Sequence, residues 1–242
     1  MTTKSLADYD RAIKLNPNNA NAYVNRGVAK YALGRKKEAI ADYNRAIKLD
    51  SNHTFAYFGR GVAKCALGRN QEAIADYDRA IQLNPNDAIA YNNRGYAKYA
   101  LGRNQEAIAD YDRAIKLDSN YADAYYNRGY AKSNLGRNQE AIADYDRAIK
   151  PDSNNAEAYN NRGVVKYALG RNQDAIADYD LAIQLNPNYA DAYKNRGNLK
   201  STLDDKQSAI EDYQKAADLY KQQGRTSDEQ YAVNQVKKLS EQ

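Results

Sequence analysis

Residues that could carry out chemistry are scarce in this sequence, and they do not form a catalytic set. The chain of 242 residues has one histidine, His53, and one cysteine, Cys65. No acid or base recurs at a fixed spacing from either residue. The sequence also lacks metal-ligand spacing, a glycine-rich phosphate loop and a nucleophile elbow. It therefore predicts a protein that is not an enzyme and that has no metal or cofactor.

The residue types that do recur suit recognition rather than catalysis. The chain contains 23 tyrosines, and many of them stand close to asparagines. Tyrosine offers rigid amphipathic contact area, and asparagine side chains can hydrogen bond to a peptide backbone. Lys and Arg number 36 against 31 Asp and Glu, and the excess of +5 is spread evenly along the chain. There is no basic block of the kind that marks a nucleic-acid-binding arm.

A unit of 34 residues repeats six times and determines where these side chains must lie. The copies begin at Ala20, Thr54, Ala88, Ala122, Ala156 and Ala190. Such a period indicates a solenoid, in which each unit buries its apolar face by stacking on its neighbours. A single cysteine excludes an intramolecular disulfide. No apolar run approaches the roughly 20 residues that span a bilayer, and the N-terminus lacks a signal-peptide core, which slightly favours a cytoplasmic location.

Each copy predicts two helices. Counting positions from the first residue of a copy, positions 4, 8 and 11 lie along one stripe of a first helix, and the glycine at position 15 marks its end. Positions 20, 24, 27 and 28 form the apolar face of a second helix, which ends at Asn-Pro-Asn or Asp-Ser-Asn. A glycine within a helix costs roughly 1 kcal/mol. Its recurrence at position 8 therefore predicts a close helix–helix contact there.

This pattern resembles the tetratricopeptide repeat family, in the form of a bacterial-type protein with many repeats. The small residues at positions 8, 20 and 27, the aromatic residue at position 24 and the proline at position 32 carry the resemblance, which extends from about Leu6 to Gly224. It implies an all-α fold, an α-solenoid of stacked helix-turn-helix repeats with a right-handed superhelix. It also implies binding of peptides or other proteins.

We expect residues 1–242 to form a single solenoid. Its parts are a half repeat over 5–19, full repeats over 20–53, 54–87, 88–121, 122–155, 156–189 and 190–224, and a capping helix over 225–242. The half repeat lacks a first helix, so we expect the chain to be part of a longer protein. Its helix carries Leu6, Tyr9, Ala12 and Ile13 on one face. Incomplete cover of that face predicts a homodimer through the N-terminal half repeat.

The stripe of the first helix departs from the family pattern. Arg occupies position 7 and Lys position 11 in every copy, and Asp occupies position 23. One interpretation is a basic ladder that binds a ligand; the other is a structural Arg–Asp ladder, which the shared period favours. We predict contact between each arginine and an aspartate of the same or the preceding unit. Pro151 replaces a leucine and predicts an early helix end, either as a hinge or as a tolerated local defect.

In the resembling family the first helices line the concave groove through positions 2, 5, 9 and 12. These positions vary among the copies while the framework positions do not. They are apolar and aromatic in the N-terminal half and acidic and polar in the C-terminal half. Tyr96, Tyr99, Tyr126 and Tyr130 are predicted to form one partly exposed patch. The predicted partner-binding residues are Phe55, Phe58, Asn92, Tyr96, Tyr99, Tyr126, Tyr130, Asn160 and Tyr167.

These observations favour a non-enzymatic scaffold that binds a protein or peptide in its groove. Single-stranded nucleic acid is an alternative ligand, because stacked tyrosines and a basic pI of about 9.0 suit bases and phosphates. The groove positions are rich in acids and amides, which disfavours a phosphate track. A structural spacer or self-assembly module is the third interpretation. No membrane partner is predicted.

Overall fold

The computed structural model describes residues 5–151 and 153–241, and within these residues the chain is entirely helical. Fourteen helices and no strands are present there, as predicted. They are α1 (Leu6–Leu15), α2 (Ala20–Ala32), α3 (Lys36–Leu49), α4 (Thr54–Cys65), α5 (Asn70–Leu83), α6 (Ala88–Ala100), α7 (Asn104–Leu117), α8 (Ala122–Asn134), α9 (Asn138–Ile149), α10 (Ala156–Ala168), α11 (Asn172–Leu185), α12 (Ala190–Thr202), α13 (Lys206–Gln222) and α14 (Thr226–Ser240).

The helix ends follow the predicted signals. Asn19 caps α2 by accepting a hydrogen bond from the backbone N–H of Ala22 at 3.1 Å. The turn after α2 needs a left-handed residue, and Gly34 supplies it with φ = 76°. Asp204 occupies the same place after α12 with φ = 65°, and it is the one non-glycine residue with positive φ in the described chain. A side chain in this region is strained, so this turn is the least favourable of the set.

The core of each repeat is a tyrosine surrounded by alanines and glycine. Tyr43 is 2% exposed and packs with Ala39 and Ala46, which are completely buried. The glycine at position 8 is there because of this ring: a Cβ on Gly27 would lie 2.8 Å from Cε1 of Tyr43. The predicted close contact is therefore confirmed. The equivalent tyrosines in the other repeats are equally buried: Tyr77, Tyr111, Tyr145, Tyr179 and Tyr213.

Pro151 shortens its helix as predicted. Helix α9 ends at Ile149 and has 12 residues, whereas α7 and α11 end two positions later in the repeat and have 14. Proline has no N–H to donate to the carbonyl of Arg147, so the last turn cannot form. A hinge at this place remains a prediction.

The chain divides into two compact units, one ending at Ala124 and one beginning at Tyr125. The helix bounds follow the predicted repeats, and a single solenoid over the whole chain remains a prediction. In the N-terminal unit, α1 has no fully buried residue, and Leu15 at its end is 78% exposed. Homodimer formation through this helix also remains a prediction. Among the described helices, none has the length and apolar character needed to cross a membrane.

Candidate binding groove

The first helices of successive repeats form one face of each unit. In the N-terminal unit α4 contacts both α2 and α6, and in the C-terminal unit α10 contacts α12. No two second helices make comparable contacts within the described residues. The first helices are therefore the more closely spaced set and lie on the inner side of each unit. We call the surface formed by their positions 2, 5, 9 and 12 the groove face.

The basic residues at positions 7 and 11 of the first helices point away from this face. Nε and Nη2 of Arg26 donate to Asp42 at 2.9 and 2.6 Å, and Nζ of Lys30 lies 2.7 Å from the same carboxylate. Asp42 is 4% exposed. The same-unit pairing is thus confirmed and the structural ladder is the correct interpretation. The equivalent pairs are Arg60–Asp76, Arg94–Asp110, Arg128–Asp144, Arg162–Asp178 and Arg196–Asp212.

A second acid, which the sequence reasoning missed, pairs with four of the ladder arginines: Arg26, Arg94, Arg162 and Arg196. Arg60 instead donates to Oδ1 of Asn44 at 2.6 Å. Nη1 of Arg26 lies 2.6 Å from Asp10, and Arg94 is 2.7 Å from Asp78. These acids stand at position 25 of the preceding repeat, so the arginine joins two neighbouring repeats. The hydrogen bond to Asp42 raises the pKa of Arg26 more than burial lowers it. The sequence contained a signal for this contact, because most copies have an aspartate at position 25, with the same period as the arginine at position 7.

The groove face of the N-terminal unit contains an open apolar cavity. It lies between α2 and α4 and has a volume of about 480 Å³. Its walls come from Val24, Val28, Phe55, Phe58 and Val62. Phe55 is 71% exposed at the rim, whereas Phe58 packs at 5.9 Å from the Tyr77 ring. Two of the predicted binding residues therefore line a real cavity.

The apolar surface continues toward α6. A second cavity of about 220 Å³ shares Tyr31 and Val62 with the first and is bounded further along by Tyr96. Tyr96 is 53% exposed, and Tyr99 is half-buried. Cys65 also lines this cavity and lies 3.8 Å from the Tyr77 hydroxyl. Burial raises the pKa of the Cys65 thiol, which favours its uncharged form.

The groove face of the C-terminal unit is filled by its own side chains. The hydroxyl of Tyr126 accepts a hydrogen bond from Asn161 at 2.9 Å and donates to Glu157 at 3.4 Å. Asn160 is 3% exposed and donates to the Tyr189 hydroxyl at 3.3 Å. Burial raises the pKa of both Tyr126 and Tyr189. Hydrogen bonds to asparagine and glutamate side chains of the same unit thus hold both rings.

The remaining predicted site residues occupy different environments. Asn92 and Asn160 are buried, at 6% and 3% exposure, so they orient neighbouring tyrosines rather than face the open groove. Tyr130 is 41% exposed, and Tyr167 is half-buried against Tyr179 and Leu199. All four tyrosines of the predicted patch are at least partly exposed. They belong to two different units, so their contiguity stays a prediction.

Family comparisons match this architecture along the chain. A TPR repeat model matches residues 2–34, 61–102, 95–136 and 133–170. Two tetratricopeptide repeat models match residues 20–53 and 156–189, and residues 190–225. Together these matches include more than half of the chain. The chain belongs to the tetratricopeptide repeat (TPR) family.

Solved TPR structures share the fold. YrrB, a TPR protein with an unusual peptide-binding site, is 24% identical with a TM-score of 0.64, covering 78% of this chain and 97% of YrrB. MamA is 28% identical with a TM-score of 0.62, covering 66% and 93%. The pilF protein of Pseudomonas aeruginosa is 18% identical with a TM-score of 0.75, covering 92% and 97%. A comparison with curated protein sequences yields no match.

The TPR fold is that of a protein-interaction scaffold, and TPR proteins are generally not enzymes. In this TPR chain the second full repeat is the exceptional copy. It holds the only cysteine and both phenylalanines of the sequence, and the only histidine, His53, directly precedes it. Gly59 replaces an asparagine found at position 6 of the other five copies. His53 and Gly59 both line the larger cavity, and sequence reasoning missed them. The concentration of rare residue types in one copy was the signal that could have found them.

Proposed function

We propose that this TPR chain binds an uncharged, apolar segment of a partner protein in the groove face of its N-terminal unit. The observation that carries the proposal is the open cavity of about 480 Å³ between α2 and α4. Its volume lies within the range of specific ligand pockets. Exposed apolar walls of this kind usually mark a site of interaction.

The walls favour an uncharged ligand. The residues around the cavity are apolar, aromatic or amide-bearing, apart from the imidazole of His53, and no carboxylate or ammonium group is among them. The arginines and lysines of the first helices are engaged with the ladder aspartates on the other side. A charged side chain entering the cavity would lose its hydration without gaining a counter-ion. Asn21 and Asn25 at the edge offer hydrogen bonds to a peptide backbone.

The second cavity supports a path for the proposed bound segment. It shares Tyr31 and Val62 with the first cavity and leads to Tyr96 on α6. A segment that crosses α2, α4 and α6 would contact both cavities. Each first helix would then contribute through positions 9 and 12 as well as 2 and 5.

Selection of random peptides displayed on phage against the folded chain tests this proposal. We expect enriched peptides whose binding weakens by about 1–3 kcal/mol on Phe55→Ala, the range of an interface hot spot. Val164→Ala is the matched control, because Val164 is an exposed valine on the groove face of the C-terminal unit and is 39% exposed. Peptides that ignore Phe55→Ala would contradict the proposed site.

A salt titration separates the nucleic-acid alternative. Phosphate contacts make binding of a labelled single-stranded oligonucleotide fall steeply as salt rises. An apolar groove predicts peptide binding that changes little with salt. Tight, salt-sensitive oligonucleotide binding that Phe55→Ala abolishes would replace the peptide with nucleic acid as the groove ligand.

A further inference from the structure

Successive first helices enclose a small space, which we call a slot. Each slot is bounded by position 5 of one first helix, by positions 2 and 6 of the next, and by the loop residue that precedes the next helix. The slot between α8 and α10 has Tyr126, Glu157, Asn161 and Asn155 at these places. Comparing slots shows what kind of side chain the fold accepts there.

In the C-terminal unit a phenol ring fills each slot. Between α8 and α10 the ring is Tyr126, whose hydroxyl is bonded to Asn161 and whose ring lies 5.9 Å from that of Tyr145. Between α10 and α12 the ring is Tyr189, which comes from the loop instead. Asn160 donates to the Tyr189 hydroxyl at 3.3 Å and accepts from Asn195 at 2.9 Å. Two different chain positions thus deliver an aromatic ring to equivalent places.

The same pattern is present in the N-terminal unit beyond α4. Phe58, at position 5 of α4, lies against Tyr77 at 5.9 Å and 57°, nearly the geometry of Tyr126 against Tyr145 at 5.9 Å and 59°. Tyr121, from the loop before α8, is bonded to Asn92 of α6. Here too the ring comes alternately from position 5 and from the loop.

The slot between α2 and α4 has no such ring. Position 5 is Val24, and the loop residue is His53, whose Nε2 is held at 2.9 Å from Oδ1 of Asn21 at the rim. Position 6 is Gly59, so the amide that holds Tyr126 has no counterpart. The cavity of about 480 Å³ occupies this place. The missing ring and the missing amide together explain why it is open.

We infer that this slot accepts an aromatic side chain from the bound partner segment, in the place that the chain's own rings take in the other slots. The inference rests on the proposed function and names its anchor residue. The ring would pack between Val24, Phe58 and Val62 and close over Gly59. The end of the Tyr43 side chain lies beside Gly59, with Oη 2.9 Å from the place of a Cβ there. Its hydroxyl can meet a phenol or an indole N–H as well as a phenyl edge.

Filling the slot from within tests the inference. Val24→Tyr combined with Gly59→Asn transplants the Tyr126–Asn161 pair into the first slot. The end of the Tyr43 side chain must turn aside for the new Asn, and the asparagine at position 6 of every other repeat shows that the fold allows this. Val164→Tyr is the control, because it adds a ring to the groove face of the C-terminal unit outside any slot.

The double variant and the control are compared with wild type for binding to the phage-selected peptides. We expect the peptides to share an aromatic residue at one position, and binding to fall at least about tenfold when that residue becomes alanine or when the slot is filled. Val164→Tyr should bind like wild type. Peptides that depend on Phe55 but share no aromatic residue would overturn this inference and leave the proposed function standing. Peptides that ignore both Phe55→Ala and the filled slot would overturn both.

A small aromatic probe keeps the test independent of peptide selection and of the double variant's folding. Indole is titrated into wild-type chain while the methyl signals of Val24, Val28 and Val62 are followed by NMR. We expect these signals to shift with indole and not with cyclohexanol, a non-aromatic probe. Equal shifts with both probes, or none with indole, would overturn the aromatic preference.

Discussion

The groove face of the N-terminal unit is open and apolar, with Val24, Phe55 and Val62 around its cavity. The same face of the C-terminal unit is polar and carries Glu157, Asp191 and Lys194. Asp191 accepts hydrogen bonds from Tyr220 at 2.7 Å and from Arg225 at 2.8 Å, and Lys194 lies 3.1 Å away. The polar side chains of the C-terminal unit are therefore satisfied within the chain. In the N-terminal unit Phe55 stays 71% exposed, which supports the partner site proposed there.

Beneath these faces the two units share one framework. The ladder of Arg94, Lys98 and Asp110 in the N-terminal unit has the same geometry as that of Arg162, Lys166 and Asp178 in the C-terminal unit. Packing therefore determines the residue types at the framework positions, whereas the residue types at the groove positions can differ between repeats.

Substitutions in the framework should cause the largest losses of stability, and the losses should be equal in the two units. Asp110→Ala and Asp178→Ala each remove a buried carboxylate, 4% and 2% exposed, from a partly buried arginine and lysine. Removing one partner of a buried ion pair costs about 3–5 kcal/mol. Urea unfolding followed by circular dichroism measures both. Glu106→Ala and Asp174→Ala, at exposed ends of i,i+3 pairs, are matched controls that should unfold almost as wild type does. Clearly unequal losses for the two aspartates would contradict a common framework.

The contribution of the polar groove face of the C-terminal unit to stability should also depend on pH, whereas that of the apolar groove face of the N-terminal unit should not. Burial alone would raise the pKa of Asp191, but hydrogen bonds from Arg225, Tyr220 and Lys194 outweigh it and lower the pKa to about 2 from 3.8. A carboxyl with a lowered folded-state pKa stabilises the fold above pH 3.8, and this contribution is lost as the pH falls from there toward 2. The shift corresponds to about 2 kcal/mol.

Asp191→Asn should therefore lose about 2 kcal/mol at neutral pH and progressively less below about pH 4. Unfolding of wild type and variant at a series of pH values measures the difference. Position 2 of the first three copies is Asn21, Phe55 or Ile89, none of which is acidic. Phe55→Ala serves as the control, because it should leave the acid dependence unchanged. A difference between wild type and Asp191→Asn that does not shrink on acidification would contradict the assigned role.

The framework could be predicted from sequence because six copies repeat the same constraint. Gly27 and Tyr43 recur with one period, and their contact follows from the need to place a ring beside a helix backbone. The Arg26–Asp42 pair was predictable as a charge pattern, but not its choice of the same repeat. That choice depends on the relative rotation of two helices, which the period alone does not determine.

The groove was harder to predict, because its differences are local and its positions do not repeat. Asn92 and Asn160 occupy groove positions in the sequence, yet they are buried under Tyr121 and Tyr189. Those tyrosines come from loops, so the pattern of positions in the first helices did not predict that they would cover the asparagines. Gly59 matters because it has no side chain where the other copies have asparagine. The space that this leaves can be seen only when the neighbouring helices are in place.

Removing a single hydrogen bond from a filled slot should lower the free energy of unfolding by less than the ladder variants do. Tyr189→Phe keeps the ring between α10 and α12 but removes the hydroxyl that accepts from Asn160 at 3.3 Å. We expect a loss of about 1 kcal/mol in urea unfolding, typical of one hydrogen bond. Tyr193→Phe, outside the slots, is the control. A loss as large as that of the ladder variants would mean that Tyr189 supports the framework and not the groove face alone.

The smallest effect on stability belongs to the residue that should matter most for binding. Phe55 is 71% exposed and packs little of its ring in the free chain. We expect Phe55→Ala to change the free energy of unfolding by less than about 0.5 kcal/mol, as for most surface substitutions. In the proposed complex a partner covers the cavity between α2 and α4 and buries this ring, so we expect Phe55 to contribute to binding. The same variant is measured in urea unfolding and in binding of the phage-selected peptides. A loss of stability equal to the loss of binding would show that Phe55 holds α4 in place, and the apolar face of the N-terminal unit would then be part of the framework.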